Sequence, residues 1–471
     1  VDQTRMKTNR PGSDVCATQR SQPLARDRLL LALVLVLWTA LVGVVFAGAN
    51  APAQPPAVAD LTLGVSTQGR PITAVRIGDG PRKLVLVGST HGGPERNTYD
   101  LTIELAAYFR THVNAVPPDV SLYILPSINP DGLVLNTRQN ANGVDLNRNM
   151  DTSADACPEN DWRPRVEGAY GIISDTGGPW SESEVESRLI RDFLLDAAGV
   201  VFFHTSGAVV FPACDHTASR QLGQVFAAAA DYEFIPRWDR YTITGGMHDW
   251  AGGLGIAAIT PELTSADAPD TERNLAGVLA ILKDAEALLV PPQPRTVAGV
   301  PVQPVIWRAW TAWGGARLFG LPFAEPTPLE DGWTQAFERA VFEYRPALSN
   351  STAVVQLRPL GRELFMAQPD RRESAPAGLS AAADREHNIQ RVFAEFWEIN
   401  GGRSVFGPPL SSEERVFDDR GVAVLRQVFE RAAFERPVDA TGLHDVSLVP
   451  LGRVHWAQVD GRTPVSSVRV R

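Results

Sequence analysis

Apolar residues recur along this chain in three rhythms. Residues 29–47 form one unbroken apolar run without a charge, which at the rise of an α-helix is long enough to span a bilayer. From residue 61 onward, short continuous apolar runs alternate with stretches that are apolar every third or fourth position. The runs at 71–77, 83–88, 122–126 and 200–203 read as strands, and those beginning at Lys83 and Val200 are of the kind buried on both faces. The helical spacing falls at 99–111 and 182–195. Strands alternating with helices predict an α/β fold, a mixed and mostly parallel sheet sandwiched by helices, with ligands beyond the carboxyl ends of the strands.

The third rhythm is a duplication. Trp313, Gly314, Gly315 and the Phe319, Gly320, Pro322 that follow answer to Asn400, Gly401, Gly402 and Phe406, Gly407, Pro409. Gln335, Phe337, Glu338, Arg339 answer to Gln427, Phe429, Glu430, Arg431, and Pro359, Leu360, Gly361, Arg362 to Pro450, Leu451, Gly452, Arg453. Two copies of one small α+β unit follow from this. They loosely resemble the Leu-Gly-Phe-Pro repeats of bacterial surface proteins. Their aromatic residues either fill two small cores or bind cell-wall peptides or glycans. The chain then divides into residues 1–28 on the cytoplasmic side, 29–49 as signal peptide or membrane anchor, and 50–60 as linker. Residues 61–290 follow as the α/β domain, 291–305 as a Pro-rich linker, 306–366 as repeat 1, 367–387 as a linker and 388–471 as repeat 2.

Composition narrows the class. With 471 residues, 44% hydrophobic and 21% charged, the chain is neither disordered nor a multi-span membrane protein. A net charge of -10 gives no footprint for nucleic acid. Arg20, Arg26 and Arg28 precede the apolar run and no Lys or Arg follows until Arg70, so everything downstream is expected outside the cytoplasm, secreted or held at the membrane by residues 29–47. Cys16 lies on the other side, leaving Cys157 and Cys214 either as a disulfide or as two buried thiols.

The candidate chemistry sits at strand ends. His91 and Glu95 directly follow the strand-like run at 83–88, and His204 follows the run at 200–203. Two imidazoles and one carboxylate are a standard catalytic zinc set with an open fourth position. Asn129, Pro130, Asp131, Gly132, then Arg138, then Gly143, Val144, Asp145, Leu146, Asn147, Arg148 continue the series. His204, Tyr241, the pair Gly245 and Gly246, His248, Asp249, Trp250 and finally Glu262 complete it. In this order the segment resembles the zinc metallocarboxypeptidases.

That resemblance implies a carboxypeptidase-like fold, one zinc ion per chain held by His91, Glu95 and His204, and hydrolysis of the C-terminal peptide bond of peptides and proteins. Glu262 would be the general base for a zinc-activated water, and Arg138 would stabilise the oxyanion. Asn147 and Arg148 would grip the terminal carboxylate, Tyr241 would close over the bound residue, and His248 would form the floor of the side-chain pocket. Two positions depart from the pattern. Three residues, Gly92, Gly93 and Pro94, separate His91 from Glu95 where the family usually has two, and a histidine at 248 predicts polar or acidic terminal residues. The alternatives are an amidase, deacylase or murein-peptide hydrolase on the same scaffold, or an inactive surface-binding relative. No large inhibitory propeptide fits between the apolar run and Leu61, so no zymogen is expected, and whether the C-terminal repeats cover the cleft stays open.

Overall fold

The structure, a computed structural model, describes residues 57–168, 171–366, 389, 391–418, 420–440 and 442–459. The expectations for residues 1–49, for the linker 367–387 and for the end of repeat 2 fall outside these residues. Among the described residues no helix is long and apolar enough to cross a membrane.

The α/β domain is built on a nine-stranded sheet. Its strands are β1 (Val58–Val65), β2 (Pro71–Ile77), β3 (Arg82–Val87), β4 (Val120–Leu125), β7 (Gly199–Phe202), β8 (His204–Thr205), β9 (Val209–Pro212), β10 (Glu233–Phe234) and β11 (Ala257–Leu263), while β5 (Val166–Glu167) and β6 (Ile173–Ser174) form a separate hairpin. The order is β1-β2-β4-β3-β7-β11-β9-β10, with β8 beside the end of β11. Strands β4, β3, β7 and β11 run parallel in the middle, and antiparallel β1 and β2 flank them on one side.

Alternation along the central strands explains their continuous apolar sequence. Leu84 and Leu86 of β3 face a core shared with Leu101, Leu105 and Phe109 of the helix Arg96–Thr111. Val85 and Val87 face the other, shared with Ile190 and Phe193 of the helix Val185–Phe193. A strand covered on both faces needs apolar residues at every position. The helix expected over 182–195 begins later, at Val185, because Glu182 is held at φ 59° with its N–H donating to the Asn149 carbonyl.

The stretch expected as a linker at 291–305 holds a hairpin, Arg295–Val297 with Val300–Val302, and the first turn of the helix Pro304–Ala312. Beyond it the two copies have the same plan of two short helices, a four-stranded antiparallel sheet and a closing helix. The sheets run Thr327–Leu329 to Val355–Leu357 and Glu414–Phe417 to Ser447–Leu448. Trp310 Nε1 donates to the Gly320 carbonyl at 3.0 Å, and Trp397 Nε1 repeats the bond on Gly407 at 3.1 Å.

The copies do not have two cores. Phe337, Phe342, Phe429 and Phe434 share one, and each closing helix packs on the opposite copy, Leu360–Met366 on Ala423–Val428 and Leu451–Val459 on Gly332–Ala336. Arg362 pairs with Glu430 of the second copy, and Arg453 with Glu338 of the first. The shared aromatic residues are thus interior packing.

Repeat 1 also seals the back of the α/β domain. Buried Arg308 donates to the carbonyls of Leu195, Ala197, Leu254 and Gly255, which lie just before β7 and β11. Lys83, at the start of β3, bonds Asp196 and the Ser349 carbonyl. These contacts lie at the amino ends of the parallel strands, so the repeats dock opposite the edge where His91, His204 and Glu262 emerge. The repeats therefore do not cover the cleft.

Candidate active site

Three strand ends deliver the candidate ligands. His91 comes four residues after β3, His204 begins β8, and the register pairs Glu262 of β11 directly with His204. Parallel strands expose their last residues at one edge, so side chains far apart in sequence converge there.

The longer loop between His91 and Glu95 is absorbed by a single 3-10 turn, Gly93–Glu95. The glycines are needed for close approach. Gly92 has φ -75°, yet a Cβ there would come within 2.1 Å of the Gly132 carbonyl carbon, and one on Gly93 within 2.0 Å of Asn136 Oδ1. The loop against which they press is set by Asn129, whose Oδ1 accepts from Gly132 N at 2.9 Å and whose Nδ2 donates to the Thr90 and Arg138 carbonyls. One buried amide thus ties the ligand loop to the arginine loop.

His91 Nδ1 lies 2.7 Å from Glu95 Oε1, and His204 Nδ1 lies 3.0 Å from Glu95 Oε2 and 3.1 Å from His91 Nδ1. Three potential ligand atoms therefore face one point. The nitrogens stand close to the roughly 3.3 Å edge of a tetrahedron with zinc–nitrogen bonds of ~2.0–2.1 Å. The donor set, its burial and its spacing fit zinc, with Glu95 in place despite the extra residue.

Asp145 was passed over as a functional residue. Its Oδ1 lies 2.9 Å from His91 Nε2, the far side of the ligand ring, and its Oδ2 accepts from Arg138 Nε at 2.9 Å. A carboxylate behind a ligating imidazole fixes its tautomer and orientation. The available signal was its place in the motif, two residues before Asn147. Arg138 also donates to Glu95 Oε1 at 2.8 Å, so the guanidinium expected at an oxyanion bridges two carboxylates beside the cluster.

The electrostatics follow from this packing. Burial and the charge on Arg138 pull the His91 pKa down, but Glu95 and Asp145 outweigh them and the net shift is upward. Burial lowers His204 to about 4 despite Glu95. Burial works against charge on Glu95 as well, yet His91 and His204 hold it well below the usual carboxylate range. Glu262 is pushed up to about 8, first by burial and then by the negative charge on Glu95.

The carboxylate grip assembles alongside. Arg148 is only 1% exposed, with NH1 on the Asn147 carbonyl and Nε without a partner among the described residues. Asn147 Oδ1 accepts from Met247 N at 2.9 Å, which leaves its amide nitrogen to donate. The Tyr241 ring lies 5.8 Å from the Arg148 guanidinium. Beyond them Tyr241, His248 and Asp249 line a cavity of about 380 Å³. One wall carries Cys214, joined to Cys157 by a disulfide, which resolves the open choice between bridge and free thiols.

A mixed sheet with a His-Glu-His cluster, a buried carboxylate and a buried arginine at its carboxyl edge defines a metallohydrolase domain. Residues 49–274 match the family model described as zinc carboxypeptidase, and this part of the chain is a domain of that family. Murein peptide amidase A of Escherichia coli (strain K12) is 28% identical over 182 residues, 38% of this chain and 69% of the relative. Carboxypeptidase SOL1 of Arabidopsis thaliana is 33% identical over 101 residues, 19% of this chain and 20% of the relative. Among solved structures, bovine thrombin-activatable fibrinolysis inhibitor in complex with tick carboxypeptidase inhibitor is 18% identical, covering 49% of this chain and 90% of that one with a TM-score of 0.40.

Proposed function

We propose that the domain is a zinc-dependent metallocarboxypeptidase that removes C-terminal residues from peptides outside the cytoplasm. The observation that carries this reading is the buried Arg148, with Asn147 and Tyr241, set beside Glu262 and the His-Glu-His cluster. A buried guanidinium with an unpartnered N–H calls for an anion, and a peptide's terminal carboxylate suits its planar fork. Holding that carboxylate there fixes the last peptide bond, and no other, near the cluster.

Bound at His91, Glu95 and His204, zinc would supply the Lewis acid that polarises the scissile carbonyl and acidifies water. Glu262, paired in register with His204 at the edge of the cluster, is placed to take a proton from that water and return it to the leaving amine. Arg138, fixed by Asp145 and Glu95, presents positive charge to the developing oxyanion. Asp145 orients His91 from behind. Export is part of the proposal, supported by the basic flank before residues 29–47 and by the Cys157–Cys214 bridge, since disulfides persist in oxidising compartments.

The test is release of C-terminal residues from peptides by the zinc-loaded chain, with Glu262→Gln as control. The variant is expected to lose about 10³-fold in kcat, and an unchanged rate would sink the mechanism. A second reading, an amidase acting on murein peptides, is favoured by the similarity to murein peptide amidase A over the catalytic segment. It is separated from the first by comparing an α-linked peptide with a cell-wall stem peptide whose last residue is linked through a side-chain carboxyl. An inactive binding protein is disfavoured because the three ligands and Glu262 are all present.

A further inference from the structure

The cavity next to the carboxylate grip is where the side chain of the leaving residue falls, if the site binds a terminal residue as proposed above. Its lining carries charge of one predominant sign. In the lining Glu167, Asp239 and Asp249 stand against one cation, Arg237, which is already paired with Glu159, while Arg148 and Arg240 flank the cavity beside Tyr241 and Trp238. An acidic terminal side chain, the expectation from His248 alone, would enter against three carboxylates.

Two of the buried polar side chains at the cavity point the same way. Asn160, 4% exposed, donates from Nδ2 to Asp155 Oδ2 at 3.0 Å, which fixes its amide orientation and leaves Oδ1 an acceptor without a partner among the described residues. His248, 3% exposed, turns Nε2 toward Asp249 Oδ2 at 3.4 Å. The nitrogen facing a carboxylate carries the hydrogen, so in the neutral ring the other nitrogen has the lone pair. Burial first, and then the charge on Arg148, lower the pKa of this ring, which keeps it neutral. His248 Nδ1 is thus a second acceptor without a partner among the described residues. Trp238, in the same lining, leaves Nε1 without a partner among the described residues, one neutral donor against these acceptors. Phe211 lies edge-on to His248 and tilted against Trp238, each with ring centres 5.1 Å away, and Pro212 and Ile243 of the lining offer apolar surface for a methylene chain.

Buried acceptors without donors are costly until a ligand satisfies them. We infer that this cavity selects a leaving residue whose side chain is an aliphatic stem ending in an ammonium group, with Asn160 Oδ1, His248 Nδ1 and Asp249 as its acceptors. An ammonium offers three donors and no acceptor, which matches three acceptor groups and the negative surroundings. Asn160 and Asp249 are specificity-determining residues in this view, together with His248.

The test is calorimetric titration of the zinc-loaded full chain with free L-lysine, L-norleucine and L-glutamate. Norleucine has the same stem without the amine. Lysine is expected to bind at least about ten-fold more tightly than norleucine, and glutamate more weakly than either. His248→Phe and Asn160→Leu should each bring the lysine-to-norleucine ratio close to one, and the wild-type ratio decides the question even where a variant fails to fold. Equal or tighter binding of norleucine or glutamate by the wild-type chain would overturn the inference. Peptide turnover is scored separately. Release of terminal Phe and Lys at equal efficiency would overturn the cavity assignment and leave the exopeptidase reading intact. Selective lysine binding without release from any peptide would support the cavity assignment and overturn the exopeptidase reading.

Discussion

His91 Nε2 lies 2.9 Å from Asp145 Oδ1, so the candidate ligand ring is held between two carboxylates, Glu95 on the cluster side and Asp145 behind. Loss of such a supporting carboxylate typically weakens metal binding about 10–100-fold. Asp145→Ala should show a loss of this size in competition with a chelator, and Asp145→Asn, which keeps an oxygen acceptor, a smaller one. Unchanged affinity in the alanine variant would remove Asp145 from the metal centre.

Glu95 is expected to be an indispensable ligand although it stands one residue further from His91 than the family pattern. Glu95→Ala leaves two imidazoles, and the chain should no longer retain one zinc through dialysis. Metal analysis after gel filtration checks this.

Glu182 provides a pH dependence. Burial lifts its carboxyl to about 7 in the folded chain, partly countered by Arg191, whose NH1 lies 2.6 Å from Oε2. Between pH ~4.5 and ~7 the folded state keeps a proton that the unfolded state has lost, so stability falls as pH rises through this window. The total is on the order of 3 kcal/mol. Glu182→Gln should flatten that slope, read as the difference between urea midpoints of the variant and wild type from pH 4.5 to 7.5.

Arg308 holds repeat 1 to the α/β domain through four main-chain carbonyls. Arg308→Leu leaves them buried without a donor, at a cost of about 3 kcal/mol or more. The variant should become sensitive to protease between residues 290 and 304 while still binding zinc. Protease sensitivity accompanied by loss of zinc binding would mean that the repeats are essential to the catalytic fold.

The Cys157–Cys214 bridge closes a sequence separation of 57 residues. By loop-closure entropy its removal costs about 4 kcal/mol. Because Cys214 also lines the side-chain cavity, Cys157→Ser/Cys214→Ser should raise KM for peptides more than it lowers kcat.

The sheet was legible because central strands buried on both faces, such as Leu84 to Val87, are written as continuous apolar runs. The candidate His-Glu-His cluster was legible because its members each follow such a run. Asp145 was hidden in plain view, since its role depends on the fold bringing residue 145 behind residue 91, a relation with no periodic trace in sequence. The lone His248 pointed toward polar or acidic termini, and its neighbours Asn160, Glu167 and Asp239, which come from separate segments, are what the inference above adds to it. The duplication was plain from its aligned words. The exchange of closing helices was not, because Leu360 and Leu451 would read the same whichever copy they covered.

Arg308 and Lys83 clamp the repeats onto the strand beginnings, and so the molecule has two independent ends. A support, antibody or fusion partner attached through the repeats leaves the cleft mouth unobstructed. Immobilised in that way, the enzyme should turn over soluble peptides at the rate it shows in free solution.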